Sequence, residues 1–332
     1  MNALTHIVAA LVLAPLIPGI INRVKARMAG RVGRPLLQTY YDLAKLIQKG
    51  VVVSHTATWM LAAGPAVSLA AVGCALLLLP GPASAAPVAF TGDFMLAAYC
   101  LGLSRLAIIL SALDTGSSFE GMGASREAAF SALAEPVLFL SFLILAVGTA
   151  DISLSGMLGQ GLVGVLAPER LFVSFLVLAT GAPEISLSGM LGRGLAGVLA
   201  PERLFVPLIL FIVLLAENSR IPVDDPNTHL ELTMIHEVMV LDHSGPDMAF
   251  IVYGASLKLW FFAALTVLSA LPVRSLSPAA GWAAFLAGML VVTLAIGLVE
   301  SLMARLRLMR VPRLLGGAGA LAALSLVLTV WR

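Results

Sequence analysis

The sequence predicts an all-α, polytopic transmembrane helix bundle of about eight spans. Three observations predict it. Of 332 residues, 60% are hydrophobic and only 11% are charged, whereas a soluble domain carries roughly a quarter charged residues. Mean hydropathy is +1.01. Apolar runs of the ~20-residue length that crosses a hydrocarbon core as helix recur along the whole chain. The net charge of +2 says nothing about nucleic acid, but there is no large basic face, so no nucleic-acid partner is expected and the lipid bilayer is the expected surrounding.

On that ruler the spans fall near 4–22, 59–80, 94–113, 128–149, 198–217, 247–271, 279–301 and 313–331, with one ambiguous apolar segment at 171–182. The whole of 1–332 is expected to form a single membrane-embedded domain. Pro80, Pro87, Pro272 and Pro278 mark span ends. The first span has no basic residue ahead of it and runs into Arg23, Lys25, Arg27 and Arg31. It therefore reads as a retained span with its anchor, not as a cleaved leader. Residues 35–49 are too short and polar to span. Leu36, Leu37, Tyr40, Leu43, Ala44 and Ile47 follow helical spacing, with Gln38, Asp42, Lys45 and Lys49 on the other face. That pattern predicts an amphipathic helix lying in the membrane interface.

Basic residues orient the array, because Lys and Arg in short loops favour the cytoplasm. The loop after span 1 holds seven of them, the loop after span 3 holds Arg126, and the loop after span 5 holds Arg220. The loop after span 7 holds Arg305, Arg307, Arg310 and Arg313, and the opposite side holds only Arg274. Odd-numbered loops are thus expected to be cytoplasmic. Cys74 and Cys100 lie in apolar runs and read as packing residues. Two thiols fall short of the four that an iron–sulfur cluster usually takes.

Residues 138–203 are a tandem duplication: 138–170 recurs at 171–203 with 25 of 33 positions identical. Two copies are not a solenoid array. A full extra crossing would move Arg220 and the Arg305–Arg313 cluster outside, so an outer-side insertion that preserves span parity is expected. Gly156, Gly159, Gly161 and Gly164 in the unit read as close helix packing.

Charge inside spans is rare because each ionised group costs ~2.5–3.5 kcal/mol at a helix centre. This chain carries Arg105, Glu135, Lys258 and Glu300 in spans, and Glu217 closes span 5. Asp114, Glu120, Arg126 and Glu127 lie between spans 3 and 4. Seven of the eighteen acidic residues and three of the five histidines fall in the acidic loop 217–247, which the basic residues place in the cytoplasm. Glu217 and Arg220, three apart, are spaced to share a helix face as a pair. Arg105 and Glu300 read as groups that lie near span ends or pair locally, while Glu135 and Lys258 read as members of a buried proton path. His229 and His236 share a helix face, but the zinc-protease HExxH is here HExxM at 236–240, so no metal site is expected. No catalytic triad, phosphate-binding loop or dinucleotide fingerprint is present.

The stretch AENSRIPVDDPNTHLELTMIHEVMVLDHSGPDMA (216–249) resembles the membrane subunit shared by respiratory complex I, its subunit 1, and energy-converting nickel–iron hydrogenases. Glu217, Arg220, Pro222, Asp224 and Glu231 carry the likeness. Val223–Pro226, Thr228–Glu231 and Met234–Glu237 look like the formate hydrogenlyase and hydrogenase-4 branch. Residues 33–50 and 117–136 resemble the family's amphipathic helix and its entry into span 4; the 33-residue duplication departs from the pattern. The resemblance implies a subunit without a redox centre of its own. Its partners would be soluble hydrogenase-like large and small subunits, an iron–sulfur subunit and antiporter-like membrane subunits, with nickel–iron and iron–sulfur centres carried by those partners. Proton path and coupling then fall to Glu120, Arg126, Glu127, Glu135, Glu217, Arg220, Asp224, Asp225, Glu231, Glu237 and Lys258. Docking falls to Arg34, Gln38, Asp42, Lys45, His229 and His236. The alternatives are a quinone-site subunit of complex I, a secondary transporter and a static anchor.

Overall fold

Within lipid every backbone amide and carbonyl must be satisfied along its own helix, and the described residues meet that demand with helices. The computed structural model describes residues 4–149, 151–159, 201–224, 235–303, 306 and 310–331. Eleven α-helices appear among them: α1 (Leu4–Leu13), α2 (Leu16–Met28), α3 (Gln38–Ile47), α4 (Trp59–Leu78), α5 (Asp93–Asp114), α6 (Ser118–Thr149), α7 (Leu154–Met157), α8 (Pro201–Glu217), α9 (Gly245–Ala270), α10 (Pro278–Leu302) and α11 (Val311–Val330). Six of these, α4, α5, α6, α9, α10 and α11, are long and apolar enough to cross a membrane. The pair α1 and α2, bent by 44°, makes a seventh, and the apolar part of α8, Phe205–Glu217, is shorter. The protein is a multi-pass membrane protein.

Two of the expected boundaries differ. The first span is broken at Ala14–Pro15, where α2 begins on a proline that cannot extend the preceding helix. Helix α6 starts ten residues before the expected 128, because SFEGMGASREAAFSALAE is too polar for a hydropathy ruler but rich in strong helix formers.

The bundle is built round α9, whose apolar window is 78% buried, against 22% for α11 at the edge. Lipid tails are as apolar as leucine, so helices associate through close packing and polar contacts, not through the hydrophobic effect. Small residues provide the close approach. A Cβ on Gly64 of α4 would fall 2.6 Å from the Ser111 Cβ of α5 and 2.9 Å from the Ala107 carbonyl. One turn on, the Ser68 and Ser104 hydroxyls meet at 2.7 Å. Asp114 closes this hairpin by accepting from the Thr58 amide at 2.7 Å and the Leu61 amide at 3.1 Å, which caps the N-terminus of α4.

Charged residues gather at one end of the bundle, where α2, α5, α8 and α10 finish and α6, α9 and α11 begin. Helix α3 lies at this end with no fully buried residue, tied down by the Tyr40 hydroxyl, which donates to the Val12 carbonyl. At the opposite end the first copy of the repeat is seated. Asp93 accepts from the Leu154 amide at 2.6 Å, the Ala86 amide donates to Ser155 Oγ at 3.1 Å, and Arg274 donates to the Ser155 carbonyl. Leu154, Met157 and Leu158 are buried there. Gly156 and Gly159 therefore serve a tight turn, not a helix crossing: a Cβ on Gly159 would press on the Ser155 carbonyl at 3.1 Å. Gly161, Gly164 and the segment 171–182 lie outside the described residues.

Candidate functional site

Four helices deliver ionisable groups to one place near the charged end. Arg105, the thirteenth residue of α5, is the hub: it donates to Glu135 of α6 at 3.0 Å, pairs with Glu217 at the end of α8, and faces Glu127 of α6 at 3.7 Å. Lys258 of α9 reaches the same Glu217 oxygen at 3.1 Å. Side-chain exposure is 6% for Arg105, 2% for Glu217, 10% for Glu127 and 13% for Lys258, but 45% for Glu135. Gly102, one turn before Arg105, leaves α5 open towards the Glu135 carboxylate, 3.7 Å from where its Cβ would stand.

Buried charge survives only when paired. Here two cations face three carboxylates, so the ionised cluster holds one negative charge in excess, and one proton brings it to neutrality. A cavity of about 80 Å³ opens beside it, lined by Ser68, Ser104, Arg105, Glu217, His236 and Lys258 among others. Each buried water needs at least ~10–15 Å³, so several fit, and the polar lining supplies their partners.

A larger cavity of about 300 Å³ lies between α2, α3 and the start of α9, with Asp42, Arg220, Asp224, His236 and Glu237 on its walls. Arg220 and His236 line both cavities. Arg220 pairs at 3.4 Å with Glu300, whose other oxygen meets Lys25 at 2.8 Å. Packed protein round His236, then the positive charges of Lys258 and Arg220, lower its pKa to about 4, so the ring is neutral at pH 7. Burial likewise lowers His243, whose Nε2 meets Ser111 Oγ at 2.9 Å.

The expected coupling residues separate by place. Glu127, Glu135, Glu217 and Lys258 share the cluster. Glu120 and Asp224 tie loops to helices: Glu120 accepts from the Asp242 amide at 3.0 Å and from the Thr115 hydroxyl, and Asp224 accepts from the Ile235 amide at 3.0 Å. Arg126 is half-buried on α6 beside Glu127, its guanidinium against the Met122 thioether. Asp225, His229 and Glu231 lie outside the described residues. Among the docking residues, Arg34 and Lys45 are exposed, and Gln38 donates to Asp42 at 2.7 Å.

Three expectations need correction. Glu217 and Arg220 do not pair: α8 ends at Glu217, Ser219 turns with φ +47°, and Arg220 is carried to Glu300 instead. Arg105 is no span-end group but the centre of the cluster, and its position in the middle of an apolar run was the available signal. His236, expected as a docking residue, lines both cavities. Lys25, read as an anchor, pairs with Glu300 because α2 runs on past the expected end of its span to Met28. Among the described residues no three of His, Cys, Asp and Glu gather as a metal-holding group.

The family model for NADH dehydrogenase matches residues 1–331. The chain belongs to this family. It is 39% identical over 144 residues to hydrogenase-4 component C of Escherichia coli K12, covering 43% of this chain and 46% of that one. It is 34% identical over 158 residues to formate hydrogenlyase subunit 4 of the same organism, covering 46% and 52%. The matched region thus spans about half the length of either relative. A solved structure of a membrane-bound sulfane sulfur reductase, an archaeal respiratory membrane complex, superposes with a TM-score of 0.71 over 98% of both chains at 19% identity, which shows the shared fold.

Proposed function

We propose that this chain is the membrane-anchoring, proton-path subunit of a multisubunit energy-converting oxidoreductase of the hydrogenase-4 or formate-hydrogenlyase type. The observation that carries the reading is the buried cluster of Arg105, Glu127, Glu135, Glu217 and Lys258, one negative charge in excess and beside a cavity with room for water. The basic residues of the charged end would face the cytoplasm. There the exposed Arg34 and Lys45 and the groups flanking Asp42 would meet a soluble arm of hydrogenase-like large and small subunits and an iron–sulfur subunit, which would hold the nickel–iron and iron–sulfur centres. Electron transfer in that arm would move the loops tied by Glu120 and Asp224, changing charge neighbours and hydration around Glu127 and Glu217. Protons would then pass from the cytoplasmic cavity, by Asp224, Asp225, Glu231 and Glu237, into the cluster and on to antiporter-like membrane subunits.

Co-purification with a tagged copy is the direct test. Nickel- and iron-containing subunits in the eluate, together with antiporter-like ones, are the expected result. A chain that purifies alone and folds stably without any metalloenzyme companion would overturn the reading. The 300 Å³ cavity favours one second reading, a quinone site in a complex I-type enzyme. NADH-binding subunits in the eluate and competition by quinone analogues would select it.

A further inference from the structure

Glu300 is a fully buried carboxylate that the proton path above leaves unused. It lies in the last turn of α10, with 0% side-chain exposure, and bridges two cations from different elements: Lys25 of α2 at 2.8 Å and Arg220 at 3.4 Å. Gly297, one turn earlier, makes the bridge possible. A Cβ there would stand 2.8 Å from the Val24 Cβ, so any larger residue would push α10 away from α2 and part Glu300 from Lys25.

The bridge decides where Arg220 sits. Arg220 is three residues beyond Glu217, yet its guanidinium turns to Glu300. In that position it lines the 80 Å³ cavity of the ion cluster and also the 300 Å³ cavity at the charged end. Arg220 and His236 are the ionisable members of the wall common to both. His236 is neutral at pH 7, which leaves Arg220 as the positive charge between them. A fixed guanidinium in a narrow polar passage opposes the entry of protons and cations. Lys25 balances the second oxygen of Glu300, so the carboxylate remains a stable anchor in a site with no exposure.

We propose that Glu300 is a positioning residue. Paired with Lys25, it fixes Arg220 in the wall between the two cavities, and Arg220 there keeps protons out of the ion cluster between turnovers. This rests on the proton-path reading and assigns its gate.

The experiment uses the whole complex in inverted membrane vesicles, with passive proton leak measured in the absence of redox substrate. Glu300→Gln and Arg220→Met should each raise the leak about tenfold, the change made by moving one charge out of a polar wall. The double variant should leak no more than either single one, because both act through the same guanidinium. Glu300→Asp, which keeps the charge, should restore much of the tightness, a rescue that a purely structural role does not give. Lys25→Met combined with Glu300→Gln removes both charges and leaves no orphaned cation at Lys25; it should leak like Glu300→Gln, and it serves if the single variant fails to assemble. Tight vesicles in every variant, or additive leaks in the double one, overturn the proposal. Glu217→Gln in the same vesicles separates the two levels. Lost pumping there with no leak from Glu300→Gln refutes the gate alone, whereas normal pumping there refutes the path itself.

Discussion

Glu217→Gln removes one charge and almost no volume from the centre of the cluster. In the protein the Glu217 carboxylate takes Lys258 at 3.1 Å as well as Arg105, at 2% exposure. Removing one partner of a buried ion pair costs roughly 3–5 kcal/mol when the other charge is left alone. Arg105 is not left alone, since it keeps Glu135 at 3.0 Å and Glu127 at 3.7 Å. The glutamine carbonyl also still accepts one hydrogen bond. Lys258, at 13% exposure, loses its nearest carboxylate, but two carboxylates still face two cations, so the cost should fall to about 1–3 kcal/mol. That lies within the ~5–15 kcal/mol of an ordinary fold, and the complex should assemble. Without a carboxylate able to take and release the proton, protons moved per electron pair should drop by about tenfold or more, while redox turnover stays within about threefold. Fluorescence quenching of a pH-sensitive amine in inverted vesicles gives the first quantity, and substrate consumption gives the second. Normal quenching at normal assembly would refute the assignment of Glu217, and the same result with Glu127→Gln would remove the path.

The pH dependence of stability should carry the signature of His236. Its folded pKa of about 4 lies below the ordinary 6.5, so between these values the unfolded chain binds more protons and stability falls as pH falls. The loss is at most about 3 kcal/mol; thermal unfolding in detergent at pH 7.5 and 5 should show it, and His236→Gln should flatten it. Deleting 171–203 joins Arg170 to Leu204 and leaves every contact at Asp93, Ala86 and Arg274 with the first copy; membrane insertion and assembly, followed by gel and co-purification, should be unchanged, and their loss would show that the second copy is required. Glu135→Gln with Lys258→Met removes one charge of each sign and keeps Arg105 paired with Glu127 and Glu217; a proton path loses coupling in the vesicle assay, whereas a static anchor keeps it.

Hydropathy located the crossing helices because lipid imposes length and composition directly. It missed the first ten residues of α6, where Ser118, Glu120, Arg126 and Glu127 lower hydropathy without lowering helix propensity. It also missed the break at Pro15, since a bent pair and a straight span have the same composition. In the site, Glu127, Glu135, Glu217 and Lys258 were legible as charges out of place in apolar surroundings. Their convergence was not, because it depends on how four helices pack through Gly64, Gly102 and the Ser68–Ser104 contact. Arg105 was legible in kind and misjudged in place. The apparent i, i+3 pair of Glu217 and Arg220 failed because the helix ends between them, and a spacing rule holds only inside a helix.

A buried ion pair is weak evidence for stability, because apolar residues of the same volume often serve as well or better. The cluster round Arg105 is therefore hard to explain as a brace, and its composition sharpens the point. The Lys25–Glu300–Arg220 bridge sets two cations against one carboxylate, each oxygen of which faces a cation. The Arg105 cluster has the opposite excess: it sets three carboxylates against two cations, places one of them, Glu135, at 45% exposure, and borders a cavity that accommodates water. An excess carboxylate beside water is a place where a proton can reside and from which it can leave. On the proton-path reading, the bridge would stay fixed while the cluster would change its protonation, with Arg220 in the wall common to both cavities.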